Sequence, residues 1–178
     1  MRKPLHPLFE HLEGVLPAGA DALDLGCGVG HGTLFLLERG FRVTAVDAES
    51  RALDILRSRV SSAHRVSLIA SRFEDFEPPP CDLVLAFFSL FFMPAEAFKT
   101  FWQKLVAAMR PGGVFAGQFL GVNDEWRDRG YSTFTSAEVR RLLAGLETLY
   151  YEEVERDGET ALGTPKHWHV FHVIARKP

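Results

Sequence analysis

The sequence predicts an α/β protein, a doubly wound, mostly parallel sheet of seven strands that ends in a C-terminal antiparallel hairpin. Three observations carry this expectation. A strand-like run from Ala20 to Leu25 enters the glycine-rich loop Gly26-Cys27-Gly28-Val29-Gly30, and a helical pattern follows at once. Strand-like and helix-like periodicities then alternate through most of the chain, without repeats or low-complexity tracts. The C-terminal stretch instead pairs two strand patterns across a loop, the signature of a hairpin.

Taken in order, Pro4, Pro7 and Pro17 mark the residues before Ala20 as a short leader. Residues 20–25 form the first strand and residues 31–39 the first helix, which Gly40 ends. The second strand covers 41–46. Ala52, Leu53, Leu56 and Val60 recur at helical spacing, so 49–62 form a helix with Arg51, Arg57 and Arg59 toward solvent. A third strand follows at 65–70. Beyond Pro78-Pro79-Pro80, a fourth strand is expected at 82–88, continuously apolar from Leu83 onward, as in a strand covered on both faces. Pro94 opens a helix whose Phe98, Phe101, Trp102, Leu105 and Met109 share one face, and Pro111-Gly112-Gly113 ends it before a strand at 114–120. Thr135 and Glu138 have capping-box spacing ahead of a helix at 136–145. Strands near 147–155 and 167–175 flank a loop holding Asp157-Gly158 and Gly163.

A chain of 178 residues supports one core, burying about 70% of its unfolded surface, so 1–178 reads as a single domain. A hydrophobic fraction of 47% places it with ordinary globular proteins, and no apolar run is long enough to span a bilayer. With no signal peptide in the sequence, the cytoplasm is the expected compartment. A net charge of −3 offers no broad attraction to nucleic acid or to anionic membranes. The expected partner is a small molecule, and the expected state a monomer or weak homodimer. Cys27 and Cys81 stand alone and lack metal-ligand spacing, so neither a disulfide framework nor a metal site is expected.

The glycine loop carries the chemistry. Side chains at Gly26, Gly28 and Gly30 would stand between the main chain and a ligand lying across the strand ends. A loop that opens onto a helix also presents unpaired N–H groups and partial positive charge. The dinucleotide fingerprint G-x-G-x-x-G is absent: position 31 is His and position 33 is Thr where that pattern needs glycine. The match is Asp24-x-Gly26-x-Gly28-x-Gly30, with Asp47 about twenty residues further on at the end of the second strand, suited to two ribose hydroxyls. Asp24 is placed to orient the loop or to receive a cationic amino group. These features point to S-adenosylmethionine.

Residues 20 to 47 resemble the first two motifs of class I S-adenosylmethionine-dependent methyltransferases. The resemblance implies a Rossmann-like methyltransferase fold with the last strand inserted antiparallel. It also implies that Asp24, Gly26, Gly28 and Gly30 surround the methionine end of the cofactor while Asp47 holds the ribose. Cys27, His31 and Ala48 lie beside these positions and complete that wall; His31 contacts the cofactor carboxylate or caps the turn. Many family members carry an acid at about the place of Arg72. Here the Phe73 main chain serves the adenine, and Glu74 is either the replacement acceptor or a solvated acid. By the same resemblance, the end of the fourth strand, Ala86-Phe87-Phe88, passes beneath the sulfonium and supplies backbone carbonyls to the amino group. Amino-directed members acting on adenine or glutamine place Asn or Asp with paired prolines after that strand, and Ser89-Leu90-Phe91-Phe92 lacks this arrangement. Phe87, Phe88, Phe91 and Phe92 read either as core or as rings that bracket a sulfonium.

On the acceptor side, Asn123-Asp124-Glu125-Trp126-Arg127 and Lys166-His167-Trp168-His169 collect polar and aromatic groups. With Gly117-Gln118-Phe119 and Thr160-Ala161-Leu162-Gly163, they resemble a bacterial group of small methyltransferases of the tellurite-resistance type. That resemblance implies a small acceptor. His167 and His169 point to one face of a strand and Trp168 to the other; the pair reads as substrate contact, metal ligands or hydrogen-bonded sheet-end groups. His172 lies deeper and reads as structural. Asp124, Glu125 and Arg127 either form a solvated loop or orient an acceptor, and Trp126 closes over a small molecule. The catalytic candidates are therefore His167, Trp126 and His169. The expected function is transfer of a methyl group from S-adenosylmethionine to a small acceptor by in-line displacement. A non-catalytic S-adenosylmethionine-binding protein and a dinucleotide-dependent oxidoreductase are the alternatives.

Overall fold

The computed structural model describes residues 7–16, 20–160 and 162–178. Pro4, Pro17 and Ala161, used above, lie outside the described residues. Where a leader is expected, α1 (Leu8–Glu13) forms instead, because Leu8, Phe9 and Leu12 fall on one helical face and are buried. There follow β1 (Asp21–Leu25), α2 (His31–Glu38), β2 (Arg42–Asp47), α3 (Ser50–Arg59), β3 (Val66–Ala70), β4 (Cys81–Ala86), α4 (Ala95–Ala108) and β5 (Met109–Gly121). The chain closes with β6 (Thr133–Phe134), α5 (Ser136–Leu142), β7 (Glu147–Glu159) and β8 (Pro165–Arg176).

The sheet order is β3-β2-β1-β4-β5-β8-β7, with β6 paired to β5 off that path. Strands β1 to β5 pair in parallel, whereas β8 runs antiparallel to both β5 and β7. The doubly wound sheet and its inserted antiparallel strand are thus as the sequence implies, with a two-residue eighth strand added. Alternation along each strand feeds two cores. Leu83 and Leu85 of β4 join Leu8, Phe35 and Leu56 on one face, while Val84 joins Phe98, Trp102 and Phe119 on the other. Because β1 is flanked by β2 and β4, whose connections leave in opposite directions, a crevice opens at its carboxyl end.

Several boundaries differ from the sequence reading, each for a local reason. α3 stops at Arg59 because the Ser61 N–H bonds the His64 ring in a turn. β4 ends at Ala86 because the chain turns sharply at Phe88, which adopts φ +51°. α4 ends at Ala108, and Pro111-Gly112-Gly113 lies within β5 at a register shift, where the Gly112 N–H bonds the Lys177 carbonyl at 2.7 Å. The capping box of Thr135 and Glu138 forms, but α5 stops at Leu142. The hairpin strands run longer than expected: Asp157 and Gly158 pair with His167 and Lys166 inside the ladder rather than in its loop. β7 is an edge strand, and Glu153, Glu155 and Asp157 discourage further pairing there. Among the described residues, no helix is long and apolar enough to cross a membrane.

Candidate active site

A cavity of about 490 Å³ opens at the carboxyl ends of β1 to β4, within the roughly 300–1,000 Å³ usual for small-molecule sites. Its walls come from Gly26 after β1, Asp47 to Glu49 after β2, Ser71 to Glu74 after β3, and Phe88, Ser89, Phe92 and Met93 after β4.

The glycine loop is held against the second strand: the Gly26 and Cys27 N–H groups donate to the Val46 carbonyl at 2.8 and 3.1 Å. Gly26 has φ +69°, and a Cβ built there would overlap the Cβ of Ser89, so this position needs glycine twice over. Asp47 links the loop to the next turn. One of its oxygens accepts the Gly28 N–H at 2.8 Å, and the other accepts the Glu49 N–H at 2.8 Å. Each oxygen retains a lone pair.

Asp24 is 4% exposed and accepts the Thr33 hydroxyl at 2.6 Å under the first turn of α2. Burial raises its pKa to about 6, opposed by bonds from the Thr33 hydroxyl and main chain, with the Asp47 charge adding to the rise. Cys27 is buried beside these acids, and its thiol pKa is pushed up chiefly by burial. His31 opens α2 with an exposed side chain, and Ala48 stands on the cavity wall. Across the cavity, Arg72 pairs with Glu74 at 2.9 Å, and that guanidinium holds the Glu74 carboxyl below its usual pKa. Phe73 stacks inward on Phe101. Phe87 packs on Phe9, with centroids 4.6 Å apart, and is not among the lining residues.

An aromatic cluster continues from the cavity. Phe92 is 48% exposed and lies against Phe91, Trp126 and Tyr131, while Phe88 meets Trp168 edge-on. Behind these rings sits a buried ion pair, Lys166 with Asp124, whose side chains are 1% and 0% exposed. The Lys166 ammonium rests 3.6 Å from the Trp168 centroid and 4.7 Å from that of Trp126. Burial draws its pKa below the usual value, against the Asp124 carboxylate, which raises it. Asp124 also accepts the Trp126 and His169 N–H groups at 2.9 and 3.0 Å. It is a buried hub rather than a solvated loop residue.

The two histidines face away from this cluster, on the side of β8 opposite Trp168. His167 pairs with Asp157 at 2.7 Å and Glu155 at 3.3 Å, and the Asp157 carboxylate foremost raises its pKa. His169 is buried; its Nδ1 accepts the Asn123 N–H at 3.2 Å, so Nε2 carries the proton toward Glu153, 3.0 Å away. Neither histidine lines the cavity. Two residues that the sequence reading names only within motifs, without a role of their own, sit closer. Gln118, fully buried, accepts the Phe88 N–H at 2.9 Å and approaches His172 at 3.5 Å; Ser89 packs on Gly26. A polar residue inside the apolar β5 run was the available signal for Gln118.

The residues fit a sulfonium nucleoside on structural grounds: a cradle that a Cβ would fill at Gly26, an acid with free lone pairs at Asp47, and an unpartnered buried hydroxyl at Ser89. Comparison with known proteins agrees. A family model described as a methyltransferase domain matches residues 22–113. Malonyl-[acyl-carrier protein] O-methyltransferase of Serratia marcescens is 28% identical over 155 residues, covering 76% of this chain and 60% of that protein. The chain thus spans less than two thirds of that relative. TehB from Haemophilus influenzae superposes with a TM-score of 0.83 at 18% identity, covering 98% of this chain and 63% of that one. The 1,6-didemethyltoxoflavin-N1-methyltransferase of Burkholderia thailandensis, solved with bound 1,6-didemethyltoxoflavin and S-adenosylhomocysteine, gives a TM-score of 0.69 at 26% identity, covering 96% of this chain and 76% of that one. Motif, sheet order and matched span converge: the chain belongs to the methyltransferase domain family, the class I S-adenosylmethionine-dependent methyltransferases.

Proposed function

We propose that this chain, as a single domain, transfers the methyl group of S-adenosylmethionine to a small-molecule acceptor held at the aromatic cluster. The observation that carries the reading is the Asp47 carboxylate, fixed by Gly28 and Glu49 N–H groups at the mouth of a cavity whose far wall, Phe92, is shared with that cluster. When bound, S-adenosylmethionine supplies a methyl group made electrophilic by its sulfonium. Asp47 holds the ribose hydroxyls. The Phe73 main chain and Glu74 hold the adenine, and Gly26, Cys27, Gly28, Gly30, His31 and Asp24 form the methionine end, with Ala48 beside the ribose. Phe88 and Phe92 exclude water at the junction, which favours a displacement governed by positioning. Trp126 contacts the acceptor. His167 and His169 receive no catalytic role here, since their ring nitrogens are engaged away from the cavity.

A small acceptor agrees with the Burkholderia thailandensis relative, which binds a small heterocycle. The reading extends to a cytoplasmic monomer or weak homodimer. The test is incubation with methyl-labelled S-adenosylmethionine and a small-metabolite extract, followed by mass spectrometry. Labelled small products together with S-adenosylhomocysteine are expected. Cofactor binding without label transfer across a broad acceptor panel favours the non-catalytic alternative instead.

A further inference from the structure

Among the described residues, Phe88 is the one non-glycine residue in the left-handed backbone region, at φ +51°. That conformation crowds Cβ against the following carbonyl, so a bulky residue keeps it only where its surroundings impose it. Phe88 lines the cavity, and its ring also meets Trp168 at 5.8 Å. This turn is therefore the wall between the cavity and the aromatic cluster.

What imposes the turn is a chain of two contacts reaching out from the sheet. Gln118 of β5, fully buried, accepts the Phe88 N–H through Oε1 at 2.9 Å. Its Nε2 faces Nδ1 of His172 at 3.5 Å, on the residue directly opposite it in the β5–β8 ladder. An amide nitrogen only donates, so Nδ1 offers its lone pair and the ring is neutral, with its proton on Nε2. The imidazole thereby sets which way the amide points. A proton on Nδ1 would stand donor against donor with Gln118 Nε2. Turning the amide over would cure that contact and set Nε2 against the Phe88 N–H instead, so one of the two is lost either way.

The groups around the ring keep it neutral. Burial draws the His172 pKa below the ordinary histidine value; Glu152, its partner on β7, opposes this, and Arg156 on the same strand adds to it. Glu152 is itself engaged, accepting the Tyr150 hydroxyl at 2.7 Å. The Phe88 ring stands edge-on at 6.4 Å.

We infer that Gln118 and neutral His172 are positioning residues that hold Phe88 in its left-handed turn and so shape the wall between donor and acceptor, and that protonation of His172 releases this wall. The inference rests on the function proposed above for what lies on either side of the wall.

The experiment follows amide exchange of Phe88 by NMR, as a protection factor, in wild type, Gln118→Leu and His172→Phe, with the His172 ring resonances titrated alongside. Calorimetry gives the S-adenosylhomocysteine affinity of each protein over the same pH range. In wild type, Phe88 protection is expected to fall about tenfold as His172 takes up its proton, with the same midpoint, below the ordinary histidine value. In Gln118→Leu, protection is expected to be lost by about the same factor at every pH, and S-adenosylhomocysteine to bind about three- to tenfold more weakly. In His172→Phe the pH step in protection is expected to vanish. The ratio of wild-type to His172→Phe affinity separates His172 from Asp24, which titrates at about 6 in both proteins, and is expected to fall about threefold across the His172 titration. Unchanged Phe88 protection in folded Gln118→Leu, a pH step that persists in His172→Phe, or an affinity ratio flat with pH overturns the assignment. Should Gln118→Leu not fold, wild type and His172→Phe decide it between them. Failure of the wild type to bind S-adenosylhomocysteine strikes the proposed function instead and leaves the exchange result standing.

Discussion

Asp47 and Gly28, 19 residues apart in sequence, are joined by a 2.8 Å bond from the glycine N–H to the carboxylate. The acid that ends β2 thereby sets the glycine loop that follows β1, and the loop in turn aims the acid into the cavity. Asp47→Ala is expected to weaken S-adenosylhomocysteine binding by a few kcal/mol, as for loss of charge-assisted hydrogen bonds. Calorimetry showing wild-type affinity would remove Asp47 from the ribose.

Asp24 couples pH to stability. Its pKa rises from 3.8 to about 6 on folding, so the carboxyl's contribution is full below 3.8 and is lost as pH rises through about 6. Asp24→Asn keeps an acceptor for Thr33 and removes the buried charge. The variant's stability relative to wild type is expected to increase between pH 4 and 7, by up to a few kcal/mol, while its cofactor affinity falls. Urea denaturation across that pH window is the check, and a flat difference contradicts it.

Lys166 and Asp124 are both withdrawn from water, and the Lys166 ammonium lies over two indole rings. Lys166→Met is expected to cost about 3–5 kcal/mol, because Asp124 stays buried with only two N–H donors. Pairing that change with Asp124→Asn should recover part of the loss. A double-mutant cycle by chemical denaturation measures the coupling, and strict additivity would mean that the pair contributes nothing jointly.

Trp126 touches Phe92 on one side and Trp168 on the other, without lining the cavity beside the glycine loop. Trp126→Ala is expected to lower turnover about tenfold or more while changing S-adenosylhomocysteine affinity less than about threefold. Once an acceptor is in hand, steady-state kinetics beside calorimetry separates the two effects. The reverse pattern would move Trp126 to the cofactor side.

The glycine-loop half of the candidate site was legible before folding because it is local. Gly26, Gly28 and Gly30 act through the main chain, where spacing along the sequence is spacing in space, and Asp47 follows from where a strand ends. The half proposed to hold the acceptor was not. His167 and His169 look exposed and reactive in sequence, yet the β7 ladder supplies carboxylates to both. Asp124 looks like a loop acid, yet a lysine 42 residues away buries it.

By itself, the sequence determined the alternation of strands and helices, the parallel order that their connections require, and the glycine loop that opens onto the cavity. Each rests on periodicity or on backbone conformations that neighbouring residues impose. The tertiary structure alone decided which side chains meet: the paired Lys166 and Asp124, the inward Gln118 beneath Phe88, and the hydroxyl of Ser89 against Gly26. Those partnerships depend on register between distant strands, where a shift of one residue turns a side chain to the opposite face.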